Sequence, residues 1–179
     1  MNLIDTFRQT NNQSDKELYH KYVSNFYSEK FEKFKDKKIN ILEIGIQYGN
    51  SLKLWEHFFQ NANIYAIDIS QYYIHEYGEN VNIFIGDAYN NKTIDYFKDN
   101  SISFDIIIDD GPHTLETQDF FLQNYQQLLK SSESIIILED IYNHSFDFLK
   151  NKYSDFSIID LTDIIKGECN SRIMYKETL

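Results

Sequence analysis

The chain has 179 residues, a single cysteine, and 17 basic against 28 acidic side chains, for a net charge of −11. That length predicts one domain with a substantial core and no separate substrate domain, and the charge argues against a phosphate backbone, and so a nucleic acid, as partner. Cys169 has no internal disulfide partner and no apolar stretch suits a signal sequence or a membrane span, so the expectation is a soluble, cytoplasmic protein without membrane contacts.

Taken in chain order, the first 36 residues place Leu18, Tyr22, Phe26, Tyr27, Phe31 and Phe34 at spacings that predict one or two helices lying over a sheet. We read residues 1–36 as a helical lid or cap and 37–179 as the main domain. Beyond the cap, short apolar runs at 40–44, 63–67, 81–85, 104–108, 134–138, 156–161 and 172–176 predict strands. Segments 51–59, 89–98, 115–129 and 145–152 have helical spacing. The alternation predicts a three-layer, Rossmann-like α/β fold, with a seven-stranded, mostly parallel sheet and an antiparallel last strand. Gly45, Gly49, Gly86, Gly111 and the sole proline, Pro112, fall at or just past the C-terminal ends of these strands, the edge where ligands bind in an open parallel sheet.

The first strand and its turn read INILEIGIQYGNS, from Ile39 to Ser51, and Asp68 ends the second apolar run. Gly45 and Gly49 permit a tight turn into a helix starting near Ser51 and a close approach of backbone to ligand. Asp68 then stands where a carboxylate meets two ribose hydroxyls. The spacing is E-x-G-x-x-x-G. A pyrophosphate would call for the third glycine of G-x-G-x-x-G, whereas a nucleoside without phosphates does not. A purely structural strand, turn and helix would also use these glycines.

This motif resembles the first motif of the class I S-adenosylmethionine-dependent methyltransferases. The resemblance implies cofactor contacts from Glu43, Gly45, Gly49, Asn50, Ser51, Asp68 and Asp109, with Asp87 of FIGDA reaching the adenine amino group.

Two further blocks carry chemistry. FDIIIDDGPHT (104–114) ends the fourth strand and IIILEDIYNHS (135–145) the fifth. Neighbouring strands lie about 4.8 Å apart, so Asp109, Asp110, Glu139 and Asp140 share a small volume and repel one another unless a cation or protons neutralise them. All-oxygen donors suit Mg²⁺, with Mn²⁺ or Ca²⁺ as substitutes. The plainer alternative is that these acids are solvated loop residues or helix caps, and Asp109 fits that description well.

D-D-G-P-H and E-D-I resemble the D-D-G-S-H and E-D motifs of magnesium-dependent sugar O-methyltransferases, the group that includes the mycinamicin-type macrolide sugar enzymes. The resemblance implies Asp110, Glu139 and Asp140 as metal ligands and His113 as general base, so that Asp110 and His113 are the candidate catalytic residues. SDKELYHKYVSNFYSEKF, near the N-terminus, is similar to the D-K-x-x-x-H-x-Y-x-x-x-Y pattern preceding the first motif in related enzymes. Two departures are Pro112 in place of Ser and a chain much shorter than the two-domain macrolide enzymes, so the acceptor does not carry over.

His113 also has a physical case, because a sugar hydroxyl needs a base titrating near neutrality to take its proton. His20 is a weaker candidate for a substrate contact from the cap, and His57, His75 and His144 join no constellation. The expected activity is methyl transfer from S-adenosylmethionine to a hydroxyl of a sugar, nucleotide-linked sugar or related polyol; a homo-oligomer is compatible with it. The alternatives are a catalytically silent cofactor-binding or scaffold subunit and a nicotinamide-dependent dehydrogenase, the latter disfavoured by the missing glycine.

Overall fold

A computed structural model describes residues 1–71, 77–165 and 170–178; His75 and Cys169 lie outside the described residues. The strands are β1 (Asn40–Ile44), β2 (Asn63–Asp68), β3 (Val81–Ile85), β4 (Ile106–Asp109), β5 (Ile135–Leu138), β6 (Ser157–Asp160) and β7 (Arg172–Glu177). They form one seven-stranded sheet in the order β3-β2-β1-β4-β5-β7-β6. Strands β3 to β5 pair in parallel along that order, and β7 inserts antiparallel between β5 and β6. The expected sheet, with its antiparallel last strand, is the one observed.

The central strands are nearly continuous isoleucine because both of their faces are covered. Side chains alternate across a strand. Ile41, Ile106, Ile108, Ile135 and Ile137 therefore join one core layer, and Leu42, Ile44, Ile107, Ile136 and Leu138 join the other. The second layer is completed by α5 (Asn91–Asp99), α6 (Leu115–Asn124) and α7 (Asn143–Lys152). The first is completed by α4 (Asn50–Phe58) and by the N-terminal segment.

That N-terminal segment is more broken than one or two helices. It comprises α1 (Leu3–Gln9), α2 (Asp15–Leu18), a π-helical turn (Val23–Tyr27), α3 (Ser28–Phe31) and a 3₁₀ turn (Glu32–Phe34). Phe26, Tyr27, Phe31 and Phe34 are buried as their spacing predicts, but Leu18 is 43% exposed because α2 is one turn long and ends there. Trp55 of α4 packs edge-on against Tyr27 and Phe31, each at 5.4 Å between ring centres. Such aromatic pairs add roughly 0.5–1.5 kcal/mol each to the burial itself, so the N-terminal segment is bound into the core.

Several boundaries moved, the first of them because local capping overrides periodicity. The helix expected at 89–98 starts at Asn91, because the Asn90 side chain caps it at Thr93 N and frees Tyr89 for another partner. The helix expected at 115–129 becomes 3₁₀ from Tyr125 to Leu128. Phe104, placed at the start of a strand by pattern, makes only an isolated bridge to Leu129.

Candidate active site

Above the C-terminal ends of β1 to β4 lies a cavity of about 690 Å³ whose lining includes Gly45, Asp68, Asp87, Asp110 and His113. The loop after β1 is held open from two sides. Gly45 sits at φ +92°, and a Cβ there would overlap the Asp110 carbonyl, so only glycine lets the β1 and β4 loops meet. Asp68 Oδ2 accepts from the amides of Ile46 (2.8 Å) and Gln47 (3.4 Å), and its Oδ1 from Ser70 N (2.8 Å). Asp68 thus splints the glycine loop while lining the cavity.

The other expected cofactor residues separate into different places. Glu43 is fully buried. Its Oε2 accepts from Ser51 Oγ and Trp55 Nε1, each at 3.0 Å, so it ties β1 to α4 and has no surface on the cavity. Burial pushes its pKa up to about 7 against the opposing pull of Lys16. Gly49, at φ +69°, caps α4 without lining the large cavity. Asn50 and Ser51 line a second cavity of about 470 Å³, which shares Asp15, Gln47 and Asp110 with the first. Asp109 is 2% exposed and accepts from Tyr89 Oη at 2.5 Å; burial raises its pKa to about 7, partly offset by that bond.

Strand parity explains this sorting. Glu43 follows Ile41 on the face covered by the N-terminal segment, and Asp110 and Glu139, two residues beyond Ile108 and Ile137, fall on the same face. Three carboxylates then meet a single buried cation. Lys16, 1% exposed, places Nζ 2.5 Å from Asp110 Oδ2, 2.5 Å from Glu139 Oε2 and 3.3 Å from Glu43 Oε1. Burial alone would lower its pKa, but the three carboxylates raise it well above the ordinary lysine value, so the ammonium stays charged. Tyr27 Oη also donates to Glu139 Oε1.

Asp140 leaves that pattern. Its backbone is left-handed, at φ +55°, and Gln118 Nε2 donates to the carbonyls of Glu139 (3.3 Å) and Asp140 (3.2 Å), holding the turn. Asp140 Oδ1 accepts from Tyr22 Oη at 2.7 Å and lies 3.4 Å from His20 Nδ1. Burial, with the Asp110 charge next, raises the Asp140 pKa to about 7. His113, likewise left-handed at φ +56°, puts Nε2 3.6 Å from Asp110 Oδ1 and 3.7 Å from Asp140 Oδ2. Two non-glycine residues held in this region mark a constrained site.

Each aspartate is thereby divided. One oxygen faces the N-terminal segment, at Lys16 or Tyr22, and the other lies toward His113. Ligand atoms of Asp110, His113 and Asp140 fall within 4.8 Å of one another, the one such group of three among the described residues. The two aspartate oxygens of this group suit a divalent ion such as Mg²⁺ or Mn²⁺, with His113 beside them. Glu139, expected as a third ligand, is not in that group, its oxygens being engaged by Lys16 and Tyr27. Burial lowers the His113 pKa from its ordinary 6.5, against the opposing Asp110 charge, so the ring is neutral at pH 7 and able to accept a proton.

Lys16 belongs to the D-K-x-x-x-H-x-Y pattern, which by itself gives it no role; the shared parity of Glu43, Asp110 and Glu139 is the signal that a buried cation is needed. His57 is exposed on α4 and bonds its own helix, and His144 stacks on Tyr142. No helix of the described residues is long and apolar enough to cross a membrane.

The sheet order, the glycine turn and the ligand edge define a Rossmann-like class I methyltransferase fold. No family model matches the chain. Curated relatives that it matches are O-methyltransferases. It is 32% identical over 97 residues to demethylmacrocin O-methyltransferase of Streptomyces fradiae, a match covering 50% of this chain and 24% of that one. It is 30% identical over 95 residues to mycinamicin VI 2''-O-methyltransferase of Micromonospora griseorubida, covering 49% and 23% respectively. These matches thus span about a quarter of each relative's length. Among solved structures, MycE methyltransferase from the mycinamycin biosynthetic pathway, in complex with Mg and SAH, superposes with a TM-score of 0.74 at 18% identity, covering 99% of this chain and 53% of that one.

Proposed function

We propose that the chain transfers the methyl group of S-adenosylmethionine to a hydroxyl of a sugar, a nucleotide-linked sugar or a related polyol, with help from a divalent cation. The observation that carries this reading is the single cavity whose lining includes both Gly45, Asp68 and Asp87 and the Asp110 and His113 pair. The similarity to sugar O-methyltransferases supports the acceptor class.

When bound, the sulfonium supplies an activated methyl group with a good leaving group, and the divalent ion supplies Lewis acidity toward the hydroxyl. The residues of this chain do the rest. Asp68 and Asp87 would hold the nucleoside and Asp110 and Asp140 the cation, while Glu139 keeps Lys16 in place. His113 Nε2 takes the hydroxyl proton as the methyl group is attacked. Residues 1–36 act as the cap of the site and 37–179 as the cofactor-binding domain.

Two measurements test the reading. Asp68→Ala removes a charged acceptor worth about 1.5–3 kcal/mol to the ribose hydroxyls, so calorimetry is expected to give a 10- to 100-fold weaker affinity for S-adenosylhomocysteine. Wild-type protein that binds NAD in preference would sink the cofactor assignment. Chelation is expected to abolish turnover and Mg²⁺ to restore it, with S-adenosylhomocysteine binding unchanged throughout. Full turnover in excess chelator would leave Lys16 as the only cation the acids need.

A further inference from the structure

Asp15 stands where the two cavities meet and has no role in the proton or metal chemistry. It lines both of them, together with Gln47 and Asp110. The strand order fixes how an elongated ligand would lie. Asp87 follows β3 and Asp68 ends β2, whereas Gln47 follows β1 and Asp110 follows β4, so a nucleoside over β3 and β2 sends its remaining arm toward β1 and β4. In S-adenosylmethionine that arm is an amino acid with an ammonium and a carboxylate.

Of the two carboxylates at this junction, Asp110 has its Oδ2 held 2.5 Å from Lys16 Nζ, and the reading above assigns its Oδ1 to the cation. Asp15 is anchored through one oxygen, Oδ1, which accepts from Lys16 N at 3.0 Å and from Ser14 Oγ at 3.5 Å. Its Oδ2 has no hydrogen bond among the described residues. The backbone is fixed as well, because Ser14 caps α2 and Asn12 Oδ1 accepts from Ser14 N at 2.9 Å, while Asn12 Nδ2 donates to the Asn50 carbonyl at 2.8 Å. A pre-positioned carboxylate with a free oxygen, lining a cavity beside a committed acid, is suited to a primary ammonium.

We propose that Asp15 is the acceptor for the ammonium of the cofactor's amino-acid arm, an assignment that rests on the cofactor reading above. The N-terminal segment then serves the cofactor as well as the acid cluster, since adjacent residues Asp15 and Lys16 face the two.

The test compares two ligands by calorimetry on the full chain: S-adenosylhomocysteine, which has the amino-acid arm, and 5′-methylthioadenosine, which lacks it. Asp15→Asn is expected to weaken S-adenosylhomocysteine about 10- to 100-fold, the range for a hydrogen bond to a charged group, and to leave 5′-methylthioadenosine unchanged. Asp15→Glu, keeping the charge, should recover part of the loss. Equal weakening of both ligands would make Asp15 a shaping residue of the segment, and no weakening of either would remove it from the site; each overturns the proposal. Wild-type protein that binds neither ligand would overturn it together with the cofactor reading, a result distinct from both.

Discussion

His113→Ala is expected to lower kcat by about 10²- to 10⁴-fold, the usual contribution of a positioned base, while S-adenosylhomocysteine affinity and thermal stability stay near wild type. The separation follows from position. His113 is on the loop between β4 and α6, outside both core layers, and its Nε2 is too far from Asp110 and Asp140 to hold either by a hydrogen bond. A pH profile distinguishes a base from a residue that only shapes the loop. Burial lowers the His113 pKa, so kcat/KM should rise with pH through an inflection below 6.5, as the ring loses its proton, and level off above it. That limb should vanish in the mutant. A mutant retaining both the rate and the limb would mean that the cation alone acidifies the hydroxyl.

Replacing the buried cation should have the largest effect on stability. Lys16→Met keeps the volume of the side chain and removes the charge, leaving Glu43, Asp110 and Glu139 facing one another without a counter-ion. Breaking such a buried pair costs about 3–5 kcal/mol. For a chain of this size each kcal/mol moves Tm by about 2–4 °C, so a fall of about 6–20 °C is expected by calorimetry or circular dichroism. The pH dependence has a definite sign. The Glu43 pKa is raised by burial from 4.5 to about 7, with Lys16 opposing the rise, so without Lys16 the folded state binds still more protons than the unfolded chain over that window. Stability of the mutant then falls as pH rises through about 7, and the gap from wild type widens. Added Mg²⁺ should recover more stability in the mutant than in wild type, because the vacated acids can take an ion. A mutant whose Tm stays within about a degree of wild type would show the cluster to be neutralised by protons instead of by Lys16.

Much of this was readable from local sequence because the underlying rules are local. Short apolar runs located the strands, and the glycines at their ends located the ligand edge. The E-x-G-x-x-x-G spacing and Asp68 marked the first cavity, and D-D-G-P-H with E-D-I marked the acids around it. Of the boundaries that shifted, the start of α5 moved because the Asn90 side chain competed for the backbone.

What local pattern left undecided was which acid does what. The four acids at the tips of β4 and β5 look alike in sequence, but parity sends Asp109 to Tyr89 and turns Asp110 and Glu139 toward Lys16. Asp140 joins His113 because a left-handed backbone, held by Gln118, turns it there. Glu43, expected at the cofactor, is sealed under α4. The deciding contacts cross 94 residues from Lys16 to Asp110 and 123 to Glu139. No periodicity within a helix or strand encodes a separation of that length. The sequence by itself determined the sheet, its ligand edge and the kinds of side chain available there. Tertiary packing decided their pairing, because a buried charge must find its counter-ion in space, and which residue supplies it depends on how the N-terminal segment lies against the sheet.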